Sequence, residues 1–482
     1  MTVPELRIET RVDLEPRAQG EYVLYWMTVF RRTGHNFALQ RAADWARRLD
    51  RPLLILEALR CDYPWASARF HEFVLDGMRA NAERCRSAGA AYYPYVEPTP
   101  GAGRGLLAAL AERACLVVGD DHPGFFMPGM NQAAASSLSV RFETVDSNGI
   151  LPLRAADRPF DTAYAFRRFL QRELHPHLRS FPVEDPLEGV GAATIPAEVE
   201  RRWPPGIPDS ASGLPVDQSV PATPLRGGAT AGQQGMRLFL DSKLRRYERD
   251  RNKPEEDVSS GLSPYLHFGH ISPHEVLGSL FERTAWEPDH LAPRTDGKRR
   301  GWWGLASDEE AFLDQLVTWR ELGFNAAFHL PRYTEFDSLP AWARRTLEEH
   351  AGDPREACYS LDQFARAETH DPLWNAAQRQ LRTEGVIHNY LRMLWGKKIL
   401  EWSPSPRDAA DVMIELNNRY ALDGRDPNSY GGIFWVLGRY DRAWGPERPI
   451  FGKIRYMTSA NTARKVRVKE YLERFSGRNE RA

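Results

Sequence analysis

An α/β N-terminal domain followed by an all-helical C-terminal domain is the fold class this sequence predicts, and three observations predict it. Apolar runs alternate with amphipathic stretches over residues 20–150. A segment rich in Pro, Gly and Ser follows, from about 186 to 235. Beyond it the pattern turns helical and aromatic, holding ten of the fourteen tryptophans: Trp286, Trp302, Trp303, Trp319, Trp342, Trp374, Trp395, Trp402, Trp435 and Trp444.

In the first part, Tyr22–Phe30 (YVLYWMTVF), Pro52–Leu56, Tyr92–Val96 and Leu116–Val118 are short apolar runs of the kind that form buried strands. Phe37–Leu49 and His71–Arg86 lie between them with helical spacing of apolar residues. Strand–helix alternation predicts a Rossmann-like parallel sheet over 20–185, with helices on both faces. Such sheets often bind ligands beyond the strand carboxyl ends. No GxGxxG follows the first strand, however, and no GxxxxGK[ST] occurs, which disfavours dinucleotide dehydrogenases and phosphate-loop enzymes. Residues 186–235 show no sustained apolar period and read as a long irregular linker, either wrapping between domains or acting as a plain spacer. Residues 236–475 form the expected helical domain.

At 482 residues the chain is long enough for two or more sizeable cores. A net charge of −1 gives no global signature of nucleic-acid or membrane binding, so any such surface must be local. Cys61, Cys85, Cys115 and Cys358 are scattered without a CxxC pair, so no metal site is expected and a reduced, cytoplasmic protein is. The N-terminus lacks the apolar core of a signal peptide, and no apolar run is long enough to span a membrane.

Chemistry concentrates between Thr369 and Trp444. The segments THDPLWN (369–375), IHNYLRMLWGKKILEW (387–402), LNNRYALDGRDPNSYGGIFW (416–435) and DRAWG (441–445) mix indoles with Arg392, Asn417, Asp423 and Asp426. Trp395 and Trp402, seven apart, share one helix face. Indoles on a helix are most often core, but plain core avoids such polar company. The combination reads as a wall around a large, partly charged cofactor. Upstream, Ser259, Ser260, Gly261, Leu262 and Ser263 precede an apolar helical run. Hydroxyls there can cap the helix, or the same N–H groups can hold a pyrophosphate.

GLSPYLHFGHIS, THDPLWN, HNYLRMLW, DGRDPNSY and GKIRYM together resemble the photolyase/cryptochrome flavoproteins, most closely the class II cyclobutane pyrimidine dimer photolyases. The resemblance is strong over 240–470 and fainter over 20–185. It implies an FAD-binding helical domain below a DNA-facing pocket. On that pattern Tyr247 and the Ser259–Ser263 loop would hold the FAD phosphates. Arg392 paired with Asp423 would flank the flavin ring, with Asp426 nearby and Asn417 opposite N5. Trp395, Trp374 and Trp402 would be the flavin-proximal, middle and surface-exposed members of an electron-transfer chain. Trp319 and Trp435 would flank the lesion, Asn389 and Met393 would touch its thymines, and Arg442 belongs to the substrate side. A basic group at Arg439, Arg442, Arg448, Lys453, Arg455, Arg464, Lys465, Arg467 and Lys469 would grip phosphates or form a merely solvated face. The implied partner is UV-damaged DNA, acted on by a monomer away from membranes. An antenna pigment, deazaflavin or folate, is left open.

Three departures from the family pattern bear on activity. Gln315 stands where a carboxylic acid is expected, four positions before Trp319; Phe324 replaces an Asp before Asn325; and the loop 438–441 is one residue short and lacks a usual His. His388 matches the first histidine of (6-4) repair enzymes, but Asn389 and Met393 replace the further ones. Two functions are therefore carried forward, a light-driven lyase for cyclobutane dimers and a cryptochrome-like photoreceptor without lyase activity. A light-independent flavoenzyme is a distant third.

Overall fold

The computed structural model describes residues 2–477. Its contacts divide the chain into two compact units. The first comprises residues through Asp157 with Arg172–Leu238 and Gly261–His290; the second comprises Arg158–Gln171, Phe239–Ser260 and the described residues from Leu291 onward.

The first unit is built on a six-stranded sheet: β1 (Ile8–Val12), β2 (Tyr22–Met27), β3 (Leu53–Leu59), β4 (Ala91–Val96), β5 (Ala114–Asp120) and β6 (Phe142–Val145), in the order β1-β6-β5-β2-β3-β4. All neighbours are parallel except β1, which runs antiparallel to β6. The central strands β2 and β5 are buried along their whole length, which is why they read as unbroken apolar runs. Helices α1 (Phe37–Leu49) and α2 (Ala68–Ala88) fall where the periodicity predicts them, α2 extending two to three residues further at each end. Asn36 starts α1 by accepting from the backbone N–H groups of Ala38 and Leu39. The edge strand β1 and the four-residue β6 escape sequence reasoning. β1 is only partly buried, and β6 (FETV) offers too few residues for a period.

The strand order reverses between β5 and β2. There the carboxylate of Asp120 accepts from Tyr25 OH at 2.7 Å and from the N–H groups of Thr28, Val29 and Phe30 at 2.7–2.9 Å, tying down the chain that leaves β2. Residues 186–228 run largely without regular structure along this unit. They include one short helix, Ala197–Arg202, and single bridges from Ala192 to Leu53, Gly206 to Tyr95 and Asp217 to Ser67.

The second unit is helical, with isolated bridges but no named strand among its described residues. Its core is formed by α3 (Pro372–Glu384), α4 (Asn389–Trp402), α5 (Pro406–Tyr420) and α6 (Pro427–Val436). Three of the four open on a cap followed by proline. Asp371, Ser405 and Asp426 each accept a backbone N–H of the first turn, and Pro372, Pro406 and Pro427 supply a fixed φ where no N–H is needed. No helix among the described residues is long and apolar enough to cross a membrane, and none of their His, Cys, Asp and Glu side chains group as a metal site.

Close contacts in the first unit make one glycine indispensable. A Cβ on Gly77 of α2 would lie 2.4 Å from Nε2 of His270, whose ring stacks on Phe73 at 5.0 Å. Alanine is the better helix former by about 1 kcal/mol, yet Gly77→Ala is expected to lower stability by roughly 1–3 kcal/mol through overpacking. Denaturant unfolding, read in the first unit's transition, checks the sign.

Candidate active site

All the geometry below belongs to the second unit unless stated. Trp374 is fully buried on α3; Trp395 and Trp402 lie two turns apart on α4. The rings of Trp374 and Trp395 are parallel to within 2° with centroids 6.5 Å apart, and Trp402 meets Trp374 edge-on at 6.1 Å. The indole N–H of Trp374 donates to the backbone carbonyl of Trp395 at 3.0 Å, and that of Trp395 donates to Gln378 Oε1 at 2.9 Å. These bonds fix ring planes as well as positions, so the three indoles form one continuous contact path.

Trp402 is not the surface-exposed end that the family pattern implies: it is 4% exposed. Tyr359 and His370 cover it, with centroids 5.7 and 4.9 Å from its ring, and Tyr359 OH bonds His370 Nδ1 at 2.6 Å. The ammonium of Lys398, paired with Glu401, lies 5.2 Å from the same ring. The half-buried Tyr359 and exposed His370 are therefore the solvent end of the aromatic path. Sequence reasoning passed over Tyr359 because it sits in an irregular segment with no periodicity to mark it.

Arg392 precedes Trp395 by three positions and so lies on the same side of α4. Its Nη2 contacts both carboxylate oxygens of Asp423, at 3.0 and 3.3 Å, in a half-buried pair. Asn417, buried on α5, donates to Ser429 Oγ at 2.7 Å, while its Oδ1 takes no hydrogen bond from the described residues. Neighbouring Asn418 bonds Tyr430 OH and accepts from Arg425 N, locking the α5–α6 connection. Asp426 accepts from Asn428 N at 2.8 Å as the cap of α6. Cation, carboxylate and open amide acceptor suit the polar edge of a planar heterocycle. Burial draws His388, at the start of α4, down to about 4, so its ring stays neutral near pH 7.

Gln315 and Trp319 are the half-exposed members of an otherwise buried π-helical turn, Asp314–Trp319, a backbone form frequent at functional sites. The Gln315 carboxamide makes no hydrogen bond to the described residues, whereas its neighbour Asp314 is held by Arg167 at 2.7–2.9 Å and cannot replace the missing acid. The turn continues into the helix Arg320–His329, which meets α6 through Gly323: a Cβ there would lie 2.7 Å from Asn428 Cα. That approach sets the spacing between the helix that follows Trp319 and the first turn of α6, the helix that carries Trp435. Phe324 fills the place of the expected Asp as core, with the Arg320 guanidinium 4.4 Å above its ring. Asn389 is exposed and Met393 half-buried one turn further on α4, so both share one face.

Around Trp435 the basic residues sort into different roles. Arg442 stacks on Trp444 at 4.4 Å and remains exposed; Arg455 lies 4.1 Å from Trp444 and 5.2 Å from Trp435, paired with Asp441 at 3.2 Å. Arg448, Lys453, Arg464, Lys465, Arg467 and Lys469 are exposed. Arg439 is not part of that surface: it is 3% exposed, packed on Phe434, and donates to Tyr333 O and Ser338 Oγ. Its apolar neighbours, invisible in a linear charge count, draw the side chain inward.

Tyr247 is buried against Phe239 and Phe312. Ser259 and Ser260 also belong to this unit, whereas Gly261, Leu262 and Ser263 belong to the first. There Ser263 opens a helix of only five residues, Ser263–His267, whose N-cap position is Leu262.

The close approach at Gly323 yields a test. Gly323→Ala is expected to separate the two helices and cost roughly 1–3 kcal/mol, read as a lower denaturant midpoint for the second unit.

No family model matches the chain. Curated relatives do. The deoxyribodipyrimidine photo-lyase of Methanothermobacter thermautotrophicus is 35% identical over 464 residues, covering 96% of each chain. Those of Oryza sativa subsp. japonica and Potorous tridactylus are 34% and 32% identical over 96% of this chain and 89% and 83% of theirs. A bacterial class III photolyase from Agrobacterium tumefaciens, known from its crystal structure, shares the fold at a TM-score of 0.68 and 19% identity, over 95% of this chain and 86% of that one. With about a third of its residues matched along nearly the full length of such relatives, the chain belongs to the deoxyribodipyrimidine photo-lyase family.

Proposed function

We propose that the protein is a blue-light-driven, FAD-dependent lyase that reverses cyclobutane pyrimidine dimers in DNA, of the class II type. The observation that carries this reading is the continuous indole path Trp402–Trp374–Trp395, ending beside the Arg392–Asp423 pair.

The residues present fit a flavin. Arg392 offers a cation for a ring edge that becomes negative on reduction, Asp423 holds that cation in place, and Asn417 Oδ1 has no partner among the described residues to give up. Asp426 would stand near the same ring, and Tyr247 with Ser259 and Ser260 would take the phosphate end. When bound and photoexcited in its reduced form, FAD supplies the single electron that opens the cyclobutane ring and takes it back afterwards.

The chain's own residues supply the rest. Trp319 and Trp435 present flat faces to a flipped lesion, whose lost stacking makes extrusion cheaper. Asn389 and Met393 contact its bases, and Arg442 meets the backbone. Gln315 can donate an N–H to a dimer carbonyl but cannot supply a proton or a charge. The indoles would pass an electron inward towards the Arg392–Asp423 pocket, leaving the positive charge on the outer ring of the path. Trp374 and Trp395 give their N–H groups to neutral oxygens, which favours a transient positive charge on each ring.

Gln315 is also the observation that favours a second reading, a cryptochrome-like photoreceptor in which the same conduction alters a partner surface. Illumination of the chemically reduced protein with a dimer-containing oligonucleotide separates the two. Restored pyrimidines are expected; no turnover with flavin intact would exclude the lyase. Gln315→Glu is expected to raise repair yield by anything from a few-fold to ~10²-fold, the range of other electrostatic stabilisers, and an unchanged yield would deny the position any part in splitting. Trp395→Phe is expected to abolish photoreduction while leaving repair by chemically reduced protein intact.

A further inference from the structure

Lys397 has no part in the reaction as proposed, and its surroundings are unusual. It is fully buried on α4, yet it forms no ion pair with any described residue. Its Nζ donates to the carbonyl of Val436, the last residue of α6, and lies 5.5 Å from the ring centre of Trp435. Apolar contacts close the turn around it: a Cβ on the adjacent Gly396 would lie 2.7 Å from Val436 Cγ2 and 3.1 Å from Met413 Sδ. The charged groups whose fields reach the ammonium are Asp441 and Arg455, and these are paired with each other.

Burying a charge without a counter-ion is costly, and a methionine would fill the same volume without that cost. Two attractions offset it, and both act at one place. Carbonyls at a helix C-terminus draw a cation, and so does the face of an indole. The first holds the end of α6; the second holds Trp435, the residue just before Val436. Arg455 sits against the same indole, so Trp435 is fixed by a cation from α4 and another from the 452–457 segment.

We propose that Lys397 is a positioning residue for Trp435, its ammonium setting the stance of that indole in the lesion pocket. The inference rests on the reading of Trp435 as a lesion-flanking wall. Burial, with a smaller opposing pull from Asp441, brings Lys397 down to about 7. The positioning charge is therefore present below neutrality and lost as pH rises through 7, and discrimination of damaged DNA falls with it. Stability moves the opposite way. Between about 7 and the ordinary lysine value the unfolded chain binds the extra proton, so this group makes the fold more stable as pH rises.

The test uses the full chain with flavin bound and 5-fluorotryptophan incorporated, the Trp435 resonance being assigned with Trp435→Phe. In the otherwise unchanged protein that resonance is expected to titrate near neutrality, and Lys397→Met is expected to leave it flat. In the dark, below the midpoint, Lys397→Met is expected to weaken binding of dimer-containing duplex roughly tenfold, leave undamaged duplex unaffected, and be non-additive with Trp435→Ala. A Trp435 resonance that ignores pH, or losses that simply add in the double variant, overturns the proposal. The titration needs no change at Lys397, so it decides the matter even where Lys397→Met does not fold. If the wild-type chain shows no preference for damaged DNA, the repair reading fails, and the resonance still judges the Lys397–Trp435 contact by itself.

Discussion

The hydrogen bond from the Trp374 indole to the carbonyl of Trp395 is the interaction on which the proposed electron path depends. It joins α3 to α4 and makes two indoles parallel, where packing alone would favour offset or edge-to-face arrangements without choosing between them. A buried indole N–H left without a partner costs on the order of 1–3 kcal/mol. Tilting the ring away is therefore penalised, and the path is held rigid. The Asp371–Pro372 cap anchors the start of α3 three residues before Trp374, so the ring's starting point is fixed by sequence-local chemistry as well.

The substrate side is arranged by the opposite device, an absence of side chain. Gly323 lets the Trp319 helix touch the first turn of α6, and Gly396 lets α4 reach its last turn. Together they seat α6, and with it Trp435, between a close backbone contact at Asn428 and a close contact with the Val436 side chain. The polar edge made by Arg392, Asp423 and Asn417 is set by α4, α5 and the connection into α6. One short helix thus carries constraints from both the proposed electron path and the proposed lesion wall.

Much of this is legible in the sequence, for identifiable reasons. Buried parallel strands and an amphipathic helix such as Phe37–Leu49 announce themselves by period, and the Asp-Pro and Ser-Pro pairs mark three helix starts. The grouping of Trp374, Trp395 and Trp402 follows from spacing on α4 combined with a family resemblance. What escapes is whatever depends on neighbours distant in sequence. β1 and β6 are too short or too exposed to show a period. Arg439 looks like a surface cation until Phe434 and Tyr333 enclose it. Trp402 looks terminal until Tyr359 and His370 cover it. Lys397 sits in a run, GKKILEW, whose two lysines look alike, although Lys398 is paired with Glu401 and Lys397 is not.

If the three indoles conduct as one path, removing the middle ring, Trp374, breaks it. Transient absorption after a blue flash on flavin-loaded Trp374→Phe protein reports whether charge moves beyond Trp395. The account predicts that the first charge separation survives in this variant, that it recombines far faster than in the parent chain, and that little reduced flavin accumulates under steady light. Long-lived charge separation and undiminished accumulation in Trp374→Phe would contradict it, because an electron would then be reaching the pocket by another route.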